Sequence, residues 1–372
     1  FELYRAVLEA LRQYDRATLT FGQQLNYDLY EWYLDDQLRR EEFIYYDYPA
    51  TFFPVTAVHE QLLHFFTDLH PLATKQDAQD YVARLEKAGI KFDQLLEGLR
   101  LREDAGIIPP QFANQWALYG VNHLARSDAR GTPFYQSFEE KLTALGLPGA
   151  EEQALLDSAE AAIDDAVLPA YQSLADYLQH LESVAPADDG LWQFPKGDDY
   201  YAHLLRHYTT TNLTPNEIHE LGKQDLERIH GEMRAIFDQL GYPPDENLGD
   251  LFDRVATDGG LVAGADVIAT YEAIIDRAEQ NLDTAFDIRP QADLVVVESP
   301  IKGMYVSGAL DGSRPGAFHA GPGDTQEAYY AMPTLAYHEA IPGHHFQIAL
   351  AQETDLPSFR NSVSFLGYTE GW

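Results

Sequence analysis

The chain has no cysteine. That excludes disulfide bonds and thiolate zinc sites, so any metal must rest on His, Asp or Glu. Nor is there a run of about 18 apolar residues, the length a helix needs to cross a bilayer, so no membrane span is expected. Basic residues are scarce: 25 Lys and Arg stand against 60 Asp and Glu, a formal charge of −35. Such a surface repels polyanions and sets aside nucleic acid and anionic lipid as partners. Its plainest use is solubility, as in a salty habitat. Internal repeats and low-complexity tracts are also missing. The chain begins at Phe1 rather than Met and stops at Trp372 with no tail, as expected of a chain cut at both ends. A signal peptide or lipid anchor is compatible with that.

What is present is apolar material in helical order. The 372 residues, 45% hydrophobic, suffice for one large domain or two moderate ones. Leu19, Leu25, Leu29 and Leu34 predict an amphipathic helix over 16–40. Tyr81, Leu85, Ile90, Phe92, Leu95 and Leu99 predict helix over 76–103, and 151–184 reads the same way with a kink at Pro169. Thr214-Pro215-Asn216-Glu217 is a capping box that opens a helix running to about residue 241, and 267–282 is a further helix. Strands are expected only at 294–298 and, after the turn 311–316, at 316–320. A long helix over 325–353 follows. The expected fold is mostly α with a small β-sheet beside that last helix. It comprises an N-terminal helical region, 1–190, and a catalytic region, 191–372, in one continuous domain.

The last helix carries His338-Glu339-Ala340-Ile341-Pro342-Gly343-His344-His345. A His-Glu pair followed by another His on a helix is how zinc peptidases present their metal: two imidazoles bind Zn²⁺, and the Glu takes a proton from water. The usual spacing is His-Glu-x-x-His, and here it is longer. Residues four apart on a helix lie about 6 Å along the axis and about 40° around it. His344 is six residues from His338, about 9 Å and about 120° away; His345 is seven on, at about 10.5 Å. An unbroken helix therefore brings neither onto the ion of His338. Pro342 lacks an N–H and clashes with the carbonyl four residues back, and Gly343 takes backbone angles other residues avoid. A bulge at Ile341-Pro342 would return His344 to the face of His338. His345 ranks second as a ligand; otherwise it supports the site from behind or touches substrate. Glu370, in Tyr368-Thr369-Glu370-Gly371-Trp372, is the candidate third ligand, returned by an adjacent antiparallel helix and leaving a fourth position for water.

Together with Asp311–Gly316, the His338–His345 and Glu370–Trp372 blocks resemble bacterial domain-of-unknown-function family 885. His207–Pro215 and Gly106–Pro110 fit the same pattern, so the likeness spans essentially the whole chain. Members resemble zincin metallopeptidases with a Glu third ligand, including M32-type carboxypeptidases and oligopeptidases. The resemblance implies a large helical zincin-like peptidase fold with His338, His344 and Glu370 as ligands and Glu339 as base. It also implies a further helical region after the Glu-Gly-Trp block, missing here. Many members are extracytoplasmic lipoproteins, so a periplasmic or lipid-anchored bacterial location is an expectation.

Other residues carry two readings each. Tyr305, His319 and Tyr337 could donate to an oxyanion or simply pack. Arg314 could clamp a substrate carboxylate or stabilise its turn. His207 could face substrate or be packed. His59-Glu60…His64 and the pair His203/His207 have spacings that could hold a metal, but a half-exposed helix and packed imidazoles explain them more simply. The expected function is zinc-dependent cleavage of peptide bonds. The alternatives are hydrolysis of another amide or ester at the same site, or a non-catalytic helical binding protein.

Overall fold

The computed structural model describes residues 1–50, 57–187, 189–299, 302–321, 326–362 and 365–372. The chain forms two compact units: Phe1 with residues 37–203, and residues 2–36 with 204–372. Residues 2–36 thus group with the C-terminal part of the chain.

The first unit is helical. Its central helices are Lys75–Leu85, Ala88–Asp104, Gln111–Ala125, Pro133–Thr143, Gly149–Ala162 and Leu168–Val184. The periodic stretch 76–103 is thus two helices, parted at Glu86–Lys87. Tyr81, Leu85, Phe92, Leu95 and Leu99 enter the core, while Ile90 faces solvent. The stretch 151–184 is interrupted by a wide π turn, Ile163–Val167, just before Pro169. A proline ring cannot sit against the carbonyl four residues back in regular helix, and widening the turn relieves the clash.

His59 lies buried in this unit, and burial pushes its imidazole down to about 4. Unfolded histidine titrates near 6.5. Between these values the unfolded chain binds more protons, so the neutral ring's contribution is fully present above pH 6.5 and is lost as pH falls through 4, about 3 kcal/mol at most. His59→Leu should therefore lose stability less steeply across this window in urea titrations. Equal slopes in the two proteins would contradict this.

In the second unit, the capping box at Thr214 forms as expected: its hydroxyl and the Glu217 carboxylate exchange bonds with each other's backbone N–H, opening Pro215–Gln239. The strands are β1 (Leu261–Val262), β2 (Leu294–Val297), β3 (Lys302–Val306), β4 (Gly316–Ala320) and β5 (Glu327–Ala328). One sheet has the order β2-β4-β3, β4 running parallel to β2 and antiparallel to β3; β1 pairs with β5. β3 is a strand the sequence reading did not find. Its Gly303 sits at φ +72, where the register with β4 slips by a bulge. Phe318 and Ala320 of β4 pack against Val267, Tyr271 and Ile274 of helix Val267–Asn281 and against Met332 and Ala336. The motif segment is thereby seated on one face of the sheet.

The single helix expected over 325–353 is instead two helices, Met332–Glu339 and His344–Glu353. Thr325 itself lies outside the described residues. Ala340 (φ −109, ψ −101) and Gly343 (φ −79, ψ −131) leave helical geometry, so the chain does not bulge but stops and restarts. The break is packed: Ile341 is buried with Leu282 and Phe346.

Candidate metal centre

The break brings His338 and His344 together. Their rings stand 4.4 Å apart between centroids, inclined at 66°. A Cβ on Gly343 would lie 1.9 Å from the His338 carbonyl oxygen and 2.3 Å from that of Tyr337. Only glycine allows the second helix to start so close to the end of the first. Trp372 closes the far side, its indole N–H donating to the Pro342 carbonyl at 2.6 Å. The sequence reading gave Trp372 no such role; a Trp two residues beyond a candidate ligand was the available signal.

Glu370 caps the helix Leu366–Thr369. Its Oε2 lies 3.3 Å from His338 Nε2 and 3.6 Å from His344 Nε2. Among the described residues, His338, Glu339 and His344 also have ligand atoms within 4.8 Å of one another. Two carboxylates thus approach the imidazole pair, and their surroundings separate them. Glu370 is exposed. Glu339 is 5% exposed, with burial raising its carboxyl pKa above the usual range. Beyond burial, His338 lowers that pKa, Glu370 raises it, and the Tyr305 backbone N–H, donating to the carboxylate, lowers it.

The donor set can be tested against zinc. Donors placed tetrahedrally at about 2.0–2.2 Å from the ion stand about 3.3–3.6 Å apart. Glu370 Oε2 keeps that spacing from both imidazole nitrogens. His344 is held towards its neutral, ligating form by burial. The residues fit the ion.

His345 faces elsewhere. It is buried, its Nδ1 is 3.0 Å from the Tyr305 hydroxyl, and a backbone acceptor at Ala292 engages the same ring. Gly316 makes room for this pair: a Cβ there would come 2.4 Å from the Tyr305 oxygen and 2.8 Å from His345 Nδ1. Tyr305 pairs with Phe318 across β3 and β4 and shares its face, towards the motif helices; His319, one residue on, takes the opposite face. The structure therefore brings Tyr305 to the site and turns His319 away. Arg314 donates to the Ser307 carbonyl at 2.7 Å within the β3–β4 connection. Tyr337 is exposed. His207 bonds the buried Asp36 at 2.6 Å. Among the described residues the other metal spacings do not converge: His59 is buried while His64 is exposed beside Asp68, and His203 stacks on Phe43.

Comparison with known proteins agrees with this architecture. A crystal structure titled "putative lipoprotein from Colwellia psychrerythraea" has the same fold, with TM-score 0.86 and 23% identity, over 100% of this chain and 68% of that one. No curated protein matches. The family model described as "Bacterial protein of unknown function (DUF885)" matches residues 1–372, and the chain belongs to that family.

Proposed function

We propose that this chain is a zinc-dependent hydrolase of peptide bonds, of zincin type, with His338, His344 and Glu370 holding the ion and Glu339 acting as general base. The observation that carries the reading is the approach of Glu370 Oε2 to two imidazole nitrogens at ligand spacing beside a buried Glu. Zinc, when bound, would supply Lewis acidity towards water and a substrate carbonyl. Glu339 takes a proton from the attacking water as its oxygen bonds the carbonyl carbon. It then gives that proton to the departing nitrogen as the C–N bond breaks. Burial suits it to both tasks, because a carboxylate with a raised pKa is the better proton acceptor. The Tyr305 N–H fixes where that carboxylate points.

Peptide is favoured over a small amide or ester by the neighbouring strand. β3 is an edge of its sheet among the described residues, and it passes Glu339 at Gly303 and Tyr305. An edge strand pairs readily with an extended peptide. Gln347, Tyr368 and Thr369, near the ligands in sequence, line a cavity of about 770 Å³ with Trp32, Phe359 and Phe365, enough for side chains flanking the scissile bond. No helix among the described residues is long and apolar enough to cross a membrane, and the similar Colwellia protein is described as a "putative lipoprotein". We extend the proposal to an extracytoplasmic, lipid-anchored setting.

Metal analysis after zinc-replete purification should find near-stoichiometric zinc, and a peptide library should be cut in preference to small amide and ester substrates. Metal-free protein from such a preparation would sink the zinc reading; turnover of only the small substrates would replace the peptide one.

A further inference from the structure

Glu370 is the last member of the proposed centre along the chain. It is exposed and directly follows the helix Leu366–Thr369. What surrounds that helix comes from elsewhere in the same unit. Gly367 lies against the end of helix Gly197–Thr209, where a Cβ would meet the Tyr208 carbonyl oxygen at 2.4 Å. Thr210 Oγ1 and the Tyr368 hydroxyl share a hydrogen bond of 2.8 Å. Phe365, which caps the short helix, packs edge-on against His207 at 5.6 Å and Trp32 at 5.3 Å.

The end of helix Gly197–Thr209 is itself pinned. Asp36 is fully buried and receives hydrogen bonds from Arg206 at 2.8 Å and His207 at 2.6 Å. Arg206 also lies over the Trp32 ring at 4.6 Å. Thr210, the first residue after this helix, sits at φ +54, in the left-handed region that a β-branched residue avoids. Such strain persists only where the surroundings over-determine it. Here the strained residue is the one whose hydroxyl reaches Tyr368, two positions before Glu370.

We infer that Asp36 and Thr210 are positioning residues for Glu370: Asp36 fixes the helix end through Arg206 and His207, and Thr210 and the Tyr208 carbonyl carry that position to the helix bearing the ligand. The inference rests on the zinc reading for its consequence, tighter metal binding, but not for the positioning itself. A buried carboxylate from the N-terminal segment would thus set the affinity of a centre built from the C-terminal one.

Thr210→Gly separates this from a structural role. It removes the hydroxyl that bonds Tyr368 while relieving the left-handed strain, so the urea midpoint should hold. Backbone order parameters of Tyr368–Glu370 in the metal-free protein, from ¹⁵N relaxation, should fall from about 0.85 towards about 0.6. The zinc dissociation constant, from competition with a chromophoric chelator, should rise about tenfold, the lower end for loss of a ligand's supporting contact. Asp36→Asn should move both readouts the same way. Unchanged order parameters in folded Thr210→Gly would overturn the inference, whatever happens with Asp36→Asn. Lowered order parameters in a chain that binds no zinc, even unaltered, would leave the positioning standing and remove the zinc reading.

Discussion

Glu339→Gln should lower peptide turnover by about 10²- to 10⁴-fold, the usual loss on removing a general base, while zinc content stays that of the unaltered protein. Gln keeps the size of Glu and can still accept the Tyr305 N–H. What it loses is the ability to carry a proton from water to the leaving nitrogen. The stability effect has a definite sign. Burial raises the folded-state pKa of Glu339 above its unfolded value, so its ionised form costs stability above the unfolded pKa. The neutral amide removes that cost, and the variant should be at least as stable at neutral pH. Calorimetry, metal analysis and steady-state kinetics on one preparation check all three statements. Zinc lost together with activity would make Glu339 a ligand, and retained activity would take it out of the chemistry.

Gly343→Ala should be the most damaging small substitution near the centre. Its Cβ would fall 1.9 Å from the His338 carbonyl oxygen, which is backbone and cannot swing aside as a side-chain tip can. The two motif helices must then part, and each carries an imidazole ligand. Zinc affinity is expected to fall by roughly 10- to 100-fold or more, since a displaced ligand is at least as harmful as a lost supporting contact. The fold should lose about 1–3 kcal/mol, the usual cost of forcing atoms into a packed site. Chelator competition and urea unfolding measure the two. A variant with unaltered affinity would mean that the close approach of the helices does not set the imidazole geometry.

Much of this was legible along the chain because its cause is local. The Thr214 capping box is written in four consecutive residues and forms as read. The apolar spacing of Tyr81, Leu85, Phe92, Leu95 and Leu99 marks a buried helical face that the structure buries. The six-residue spacing from His338 to His344 demands an interruption if both are to face one point, and Pro342 and Gly343 supply its chemistry. Whether that interruption is a bulge or a full stop is not local. Ile341 finds a pocket with Leu282 and Phe346, and Trp372 bonds the Pro342 carbonyl, so the chain can leave helical geometry altogether.

The other departures share that origin. Lys302–Val306 has too little alternation to announce a strand, yet β4 supplies a partner and makes it one. His345 and His319 look equivalent to His344 and Tyr305 as residue types; pairing register and packing turn them elsewhere. Asp36 carries no sequence mark of importance, and it acquires one only when Arg206 and His207 close over it. The sequence by itself determined the helical class and the lack of any cysteine thiolate, because composition and short-range spacing decide those. The tertiary structure alone decided which imidazoles converge and which carboxylate stays buried, because those depend on contacts between segments far apart in the chain.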